Sequence, residues 1–376
     1  MDQPVIGVVG LGTMGLGIAQ VYAQAGHVVR ATDAVPAARA TARERMAAGL
    51  APRVAAGKLD AAEAEAIVSR LEVVDGPEGL AGAALVIEAV AEDLAVKQSL
   101  FAAVERAVAG DCVLATNTSS LSVRAIRDPL ARPMQVIGLH FFNPAPVMKL
   151  VELVVPAGAE EAGTRARALT EAAGKVVVDA PDSPGFIVNR CARPFYGEAL
   201  AMLEEGRDPA QIDAAVIAAG YRMGPFALID LIGADINLAA TKSLNAAMGG
   251  HPRYHVFAAQ EEAVAAGRLG RKSGTGFVTP PAEAPALPAD AEAVAARIEA
   301  LLVNEACWLA QESGGARDAI DTALKLGLNF PRGPFGILDR LGGARAVLQI
   351  LADLRARAPE PLKPRYDPSP YLEALA

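Results

Sequence analysis

Gly10-Leu11-Gly12-Thr13-Met14-Gly15 follows directly on the apolar run Val5–Val9 and opens a second apolar stretch, Ile18–Ala25. Another apolar run comes next and ends in Asp33. Three glycines at this spacing also occur in ordinary loops. The succession of strand, glycine turn, helix, strand and terminal acid excludes that reading here. Gly10 permits a tight turn, Gly12 lets a pyrophosphate approach the backbone, and Gly15 lets the helix pack on the strand. The pyrophosphate would then sit at the helix N-terminus, where unpaired N–H groups point outward. Asp33 stands where a carboxylate accepts hydrogen bonds from adenosine ribose hydroxyls. Ala34 and Val35 offer no arginine for a 2′-phosphate, so the pattern favours NAD over NADP.

The rest of residues 4–180 continues the theme. Short apolar runs alternate with helical stretches, which predicts an α/β fold with a doubly wound, mostly parallel sheet. The expected strands are Val5–Val9, Val28–Thr32, Leu71–Val74, Leu85–Ala89, Val113–Thr116, Gln135–His140, Lys149–Val155 and Lys175–Asp179. A long crossover, residues 36–70, reads as two helices, the second opened by Asp60 with Glu63 three residues on. Such an arm is extra material on a nucleotide-binding sheet, and extra material often meets substrate. Residues 3–29 carry no charged side chain and are long enough for a membrane span. Six glycines, Gln20 and Gln24 make a buried strand, turn and helix the better reading.

After Asp182-Ser183-Pro184-Gly185 the composition turns rich in alanine and leucine, and a helical domain is expected. Ile212-Asp213, Gly224-Pro225-Phe226, Asp230 and Gly233 recur in order as Ile320-Asp321, Gly333-Pro334-Phe335, Asp339 and Gly342. Glu198-Ala199 and Glu305-Ala306 precede them at matching distances to within a residue. This is an internal repeat, because alanine-rich helices alone do not produce Gly-Pro-Phe twice. The expected domains are residues 1–183 with the arm 36–70, a helical domain 184–278, a Pro-rich linker 279–290, and a second helical copy 291–376.

A net charge of -8 makes the chain a poor partner for nucleic acid, which needs a basic face. No basic, cleavable leader precedes the first strand, so a cytoplasmic protein without membrane attachment is expected. Cys112, Cys191 and Cys307 lie far apart, suit a reducing compartment, and read as small buried apolar residues rather than disulfides or zinc ligands. Of the four histidines, His27 reads as an exposed turn residue, and His251 and His255 as loop residues.

His140 is different. It ends an apolar strand in Gly138-Leu139-His140-Phe141-Phe142-Asn143-Pro144, and ligands bind at strand ends in open α/β sheets. Glu152 interrupts the next apolar run, Leu150–Val154. An ionised carboxylate in a buried strand costs several kcal/mol unless it is paired. A histidine on the preceding strand is a natural partner. The pair reads equally as a satisfied core pair or as an imidazole base with its carboxylate orienter. Its place at the mouth of a dinucleotide sheet favours the second.

These motifs, together with Asn117-Thr118-Ser119-Ser120-Leu121, Asp182–Arg190, Gly224-Pro225-Phe226 and Gly270–Phe277, resemble the L-3-hydroxyacyl-CoA dehydrogenase family over residues 4–277. The doubled helical domain resembles the family's longer members. The resemblance implies a Rossmann-type sheet followed by an all-α domain in two copies, NAD as cofactor and an acyl-CoA thioester as substrate. It implies His140 as general base, Glu152 as its partner, Ser119 near the substrate oxygen and the nicotinamide, and Asn189 completing the site. Gly10, Leu11, Gly12, Thr13, Met14, Gly15, Asp33, Glu92, Lys97, Asn117, Ser119 and Lys272 correspond to positions that touch NAD, and Asn143 and Lys58 to substrate contacts. Glu92 and Lys97 read otherwise as an exposed pair at a helix start, and Lys272 as a solvated loop charge.

Two positions depart from the family pattern: Val278 replaces a usual aromatic, and Gly49 stands where a CoA-binding serine is expected. Arg39, Arg43, Arg45, Arg53 and Lys58 make the arm basic, which suits CoA phosphates as well as an ordinary solvated face. The second helical copy has Ala296 where the first has Asn189, so it is expected to serve packing. Relatives with one copy pair through a second subunit, so an intramolecular pseudo-dimer is expected, with a homodimer left open. Two other readings remain: a hydroxyacid dehydrogenase of the 3-hydroxyisobutyrate type, which relies on a lysine base, and a non-catalytic NAD-binding protein of the crystallin kind.

Overall fold

The computed structural model describes residues 3–280 and 287–376 and divides into two compact units, Met1–Ser183 and Pro184–Ala376. Of the linker prolines, Pro281 and Pro285 lie outside the described residues.

The first unit holds an eight-stranded sheet in the order β3-β2-β1-β4-β5-β6-β7-β8. The strands are β1 (Val5–Val9), β2 (Val29–Thr32), β3 (Leu71–Val73), β4 (Ala83–Glu88), β5 (Val113–Thr116), β6 (Val136–Phe141), β7 (Leu150–Val154) and β8 (Val176–Asp179). All eight fall within two residues of the sequence expectation. Every pairing is parallel except β6–β7. Parallel strands covered on both faces need apolar residues at successive positions, which is why β1, β6 and β7 read as continuous hydrophobic runs. The long uncharged stretch resolves into β1, the glycine turn and the helix Thr13–Gln24. No described helix is long and apolar enough to cross a membrane.

The arm differs in detail from expectation. A short helix, Pro36–Ala40, precedes the two longer ones, Ala42–Ala55 and Ala61–Ser69. Asp60 caps the last through the N–H groups of Ala62 and Glu63. His27 corrects its reading as an exposed turn residue. It is buried, its Nδ1 lies 2.8 Å from the Pro4 carbonyl, and its ring meets Tyr22 edge-on. The polar ring is accommodated because a backbone acceptor reaches it. His251 and His255 flank a single 3-10 turn, Pro252–Tyr254, and both are half-buried. All three cysteines are buried.

The second unit is helical, and its repeated motif has a steric origin. Asp213 accepts the N–H groups of Phe226 (2.9 Å) and Ala227 (2.7 Å) at the start of helix Pro225–Ile232. Asp321 does the same for Phe335 (2.8 Å) and Gly336 (3.2 Å) before helix Pro334–Arg340. In each case the carboxylate lies against the glycine preceding the proline. A Cβ on Gly224 would come within 2.2 Å of Asp213 Cγ, and one on Gly333 within 2.3 Å of Asp321 Cγ. Proline suits the first helical position because that N–H has no intrahelical partner. Asp, Gly, Pro and Phe therefore form one capping device.

Two buried ion clusters cross this unit. Glu305 accepts from Arg190 Nε (2.7 Å) and the Tyr254 hydroxyl (2.5 Å), with Arg253 at 3.5 Å. Glu198 accepts from Arg297 Nε (2.6 Å), Arg365 Nε (3.0 Å) and the Tyr366 hydroxyl (3.2 Å). Arg190 lies eight residues before Glu198, and Arg297 eight before Glu305. Each carboxylate is thus held by the arginines and tyrosine of the opposite stretch of sequence. The run Ile298–Val303 is buried in helix Ala291–Ser313, which packs on helices Arg193–Glu204 and Pro209–Ala218. In Ala346–Leu351 only Val347 and Leu351 are fully buried.

Burial pushes the Asp213 carboxyl up to about 7; its two backbone donors oppose the shift and nearby Asp230 adds to it. Between the unfolded value of 3.8 and about 7 the folded chain binds more protons at this group, so stability falls as pH rises through that window. The melting temperature of the wild type relative to Asp213→Asn should therefore rise as pH is lowered from about 8 to about 5. A gap independent of pH, measured by calorimetry, would contradict this.

Candidate active site

The carboxyl ends of β1, β4, β5 and β6 lie along one edge of the sheet, since these strands run parallel. At β1 the glycine turn bends with Gly10 at φ +97°, where a Cβ would also come within 2.4 Å of the Ala89 carbonyl oxygen. A Cβ on Gly15 would lie 1.7 Å from the Gly10 carbonyl oxygen, so helix and strand can approach only with glycine there. Gly12 is the opposite case: a Cβ would meet nothing within 4 Å. The protein's own packing gives no reason for glycine at this position, whereas a ligand lying against the backbone does. Gly12 is also the N-cap of helix Thr13–Gln24 and contributes no side-chain cap, which suits Thr13 and Met14 at the helix start to an anion. Asp33 follows β2 and braces the turn, accepting from Leu11 N (2.6 Å) and Val35 N (2.8 Å). These residues fit a dinucleotide.

The β4 and β5 ends carry a dense polar network. Glu92 Oε1 accepts from the Thr118 hydroxyl (2.6 Å) and from the N–H groups of Ser119 (2.9 Å) and Ser120 (3.1 Å). Burial works against charge on Glu92, but these donors and Lys97 outweigh it and hold its pKa below the ordinary carboxylate range. The exposed helix-start reading of Glu92 and Lys97 fails for the lysine. Lys97 is buried, 2.6 Å from Glu88 and 3.3 Å from Glu92. Asn117 Oδ1 accepts the Phe141 N–H at 2.7 Å, which ties the β5 end to the β6 end.

β6 and β7 are antiparallel, and their register sets His140 directly opposite Glu152. His140 Nδ1 lies 2.7 Å from Glu152 Oε2, with the residues 6% and 0% exposed. Phe142 packs on the imidazole, ring centroids 4.5 Å apart. The sequence pairing of these two residues is therefore a direct contact.

Asn143 is exposed just beyond β6, and Lys58 is exposed after the arm's second helix. Three of the arm's basic residues are committed to backbone carbonyls: Arg39 to Asp33, Arg43 to Leu71 and Arg45 to Ala38. In the second unit Asn189 is half-buried in helix Val188–Cys191, and exposed Lys272 pairs with Asp235 at 2.5 Å. The loop carrying Lys272 is anchored by Asp230, which accepts from Phe277 N and Val278 N, each at 2.9 Å. Sequence reasoning passed over Asp230 as a clamp. It also passed over Glu88, although an acid ending the apolar run Leu85-Val86-Ile87 is the same signal that singled out Glu152.

Residues 5–183 match the family model described as 3-hydroxyacyl-CoA dehydrogenase, NAD binding domain. Residues 185–280 and 294–376 match that described as 3-hydroxyacyl-CoA dehydrogenase, C-terminal domain. The chain is 47% identical over 274 residues to 3-hydroxyadipyl-CoA dehydrogenase of Escherichia coli strain K12, covering 72% of this chain but only 58% of that protein's length. It is 39% identical over 280 residues to a probable 3-hydroxybutyryl-CoA dehydrogenase of Bacillus subtilis strain 168, covering 74% of this chain and 97% of that one. The crystal structure of 3-hydroxybutyryl-CoA dehydrogenase from Escherichia coli K12 superposes with a TM-score of 0.91 at 34% identity, over 100% of this chain and 98% of that one. Together with the glycine turn fitted to a dinucleotide, these matches place the chain in the NAD-dependent 3-hydroxyacyl-CoA dehydrogenase family.

Proposed function

We propose that the chain interconverts (3S)-3-hydroxyacyl-CoA and 3-oxoacyl-CoA thioesters, with His140 as the acid–base residue. The observation that carries this reading is the buried His140–Glu152 contact at the carboxyl edge of a dinucleotide-binding sheet. With Nδ1 directed to Glu152, proton exchange with substrate falls to Nε2. In oxidation His140 takes the hydroxyl proton, and the Glu152 carboxylate stabilises the imidazolium that forms. NAD, when bound, supplies the acceptor for the hydride leaving C3. In the reverse direction the imidazolium returns the proton to the developing alkoxide. Ser119, on the turn organised by Glu92, holds the substrate oxygen in this reading. The names of the relatives cover a dicarboxylic and a four-carbon thioester, and both belong in the first substrate panel.

His140→Ala should nearly abolish turnover while NADH still binds. Glu152→Gln should lower the rate by roughly 10²–10⁴-fold, the usual worth of acid–base catalysis. Near-normal NADH oxidation in either variant, followed by absorbance, would remove the mechanism.

The glycine geometry makes a separate prediction. Gly12→Ala should keep the wild-type melting temperature, because the added methyl meets no protein atom, yet bind NADH at least tenfold more weakly. Gly15→Ala should instead destabilise the fold. Wild-type NADH affinity in Gly12→Ala, measured by fluorescence titration, would contradict the placement of the pyrophosphate.

The helical stretches 184–278 and 291–376 are read as duplicated copies paired like the halves of a dimer. Matches of both stretches to one domain description support this, as do the crossed clusters on Glu198 and Glu305. Reciprocal contacts, in which a residue of each copy meets the counterpart's partner, characterise an isologous interface. Ending the chain after Val278 would strip Glu198 of Arg297, Arg365 and Tyr366 and expose the face covered by Ile298–Val303. Breaking a buried ion pair from one side costs about 3–5 kcal/mol. The shortened chain should therefore dimerise or aggregate; a soluble monomer as heat-stable as the full chain would sink the pairing.

A further inference from the structure

Glu88 closes β4 and is 1% exposed, as is Lys97, the residue that meets it. One oxygen accepts from Lys97 Nζ (2.6 Å) and Val90 N (2.7 Å); the other accepts from the Thr116 hydroxyl (2.7 Å). Two routes lead from this carboxylate to one turn. Through Lys97 the charge reaches Glu92 Oε2 at 3.3 Å, and Glu92 Oε1 gathers Thr118, Ser119 and Ser120. Through Thr116, whose oxygen accepts the Thr118 N–H at 3.2 Å, it reaches the residue before Ser119. Thr116 and Thr118 are also buried.

Stability alone does not call for this arrangement. A buried ion pair is often matched or bettered by apolar residues of similar volume. What apolar residues cannot do is hold a lysine ammonium under Glu92 and a threonine hydroxyl under Thr118 at once. Both fix the direction of the Ser119 N–H and thereby the place of its side chain.

We propose that Glu88 is a positioning residue that acts through Lys97–Glu92 and through Thr116 to hold the Ser119 turn in its working conformation. This rests on the reading of Ser119 as a substrate contact. Glu88 touches neither substrate nor cofactor in this scheme. Lys97 is a strut beneath Glu92, and its ammonium is directed to the two carboxylates.

The test is a double-mutant cycle on kcat with an acyl-CoA substrate. Glu88→Gln removes the charge and keeps the shape; Thr116→Val removes only the second route and leaves the ion pair intact. Misplacing a positioned group by about 1 Å can cost roughly 10²-fold in rate, so each variant should lower kcat by about ten- to a hundredfold when Ser119 is present. In the Ser119→Ala background each should lower it no further, because groups acting through one residue are not additive. A purely structural role would lower kcat by the same factor in both backgrounds, and that result overturns the inference. Unchanged kcat in Glu88→Gln or in Thr116→Val overturns it too. Should Glu88→Gln fail to fold, the Thr116→Val cycle decides alone. If Ser119→Ala itself leaves kcat unchanged, the assignment of Ser119 fails and takes this inference with it.

Discussion

One antiparallel pairing in an otherwise parallel sheet, β6 against β7, sets the surroundings of the buried His140. Because β7 returns against β6, residues across the seam face each other one to one, and His140 meets Glu152. A glutamate with no solvent exposure needs a partner held in place, or it would take up a proton or disrupt the strand. The imidazole supplies that partner. The same contact directs Nδ1 of His140 to Glu152. This hydrogen bond meets the packing requirement, and the proposed acid–base role of His140 rests on it.

The molecule repeats this solution at three further buried acids. Glu88 is matched by Lys97, Glu198 by Arg297 and Arg365, and Glu305 by Arg190 and Arg253. None of these pairs is local in structure to a single helix or strand. Each joins elements that the fold must first bring together, so each reports correct assembly more than it adds net stability. The Glu88–Lys97 pair joins a strand end to the helix after it; the pairs in the helical unit tie distant stretches of sequence to one another.

Glycine serves three separate ends. Gly10 supplies a backbone conformation that other residues rarely adopt. Gly15, Gly224 and Gly333 make room for protein atoms at distances no Cβ tolerates. Gly12 makes room for nothing in the protein itself. The motif reads as a unit in sequence, yet its members answer to different constraints.

Much of this is legible in the sequence. Eight strands, the glycine turn, Asp33 and the His140–Glu152 pair followed from hydrophobic runs, turn residues and the cost of a lone acid in a buried strand. Those signals are local, and local periodicity fixes which face of an element is buried. Lys97 reads as exposed because it stands with Glu92 at a helix start, and His27 because it sits in a turn. The structure buries both, since Glu88 and the Pro4 carbonyl come from elsewhere in the fold. The repeated Asp…Gly-Pro-Phe could be counted in the sequence, but its reason, a carboxylate seated on a glycine, needed the two helices in place. The sequence alone determined the order of the elements and the places of the glycine turn, Asp33 and the His140–Glu152 pair. Only the tertiary structure decided which charges neutralise which, because a buried charge is satisfied by whatever lies nearest in space, at separations that sequence does not encode.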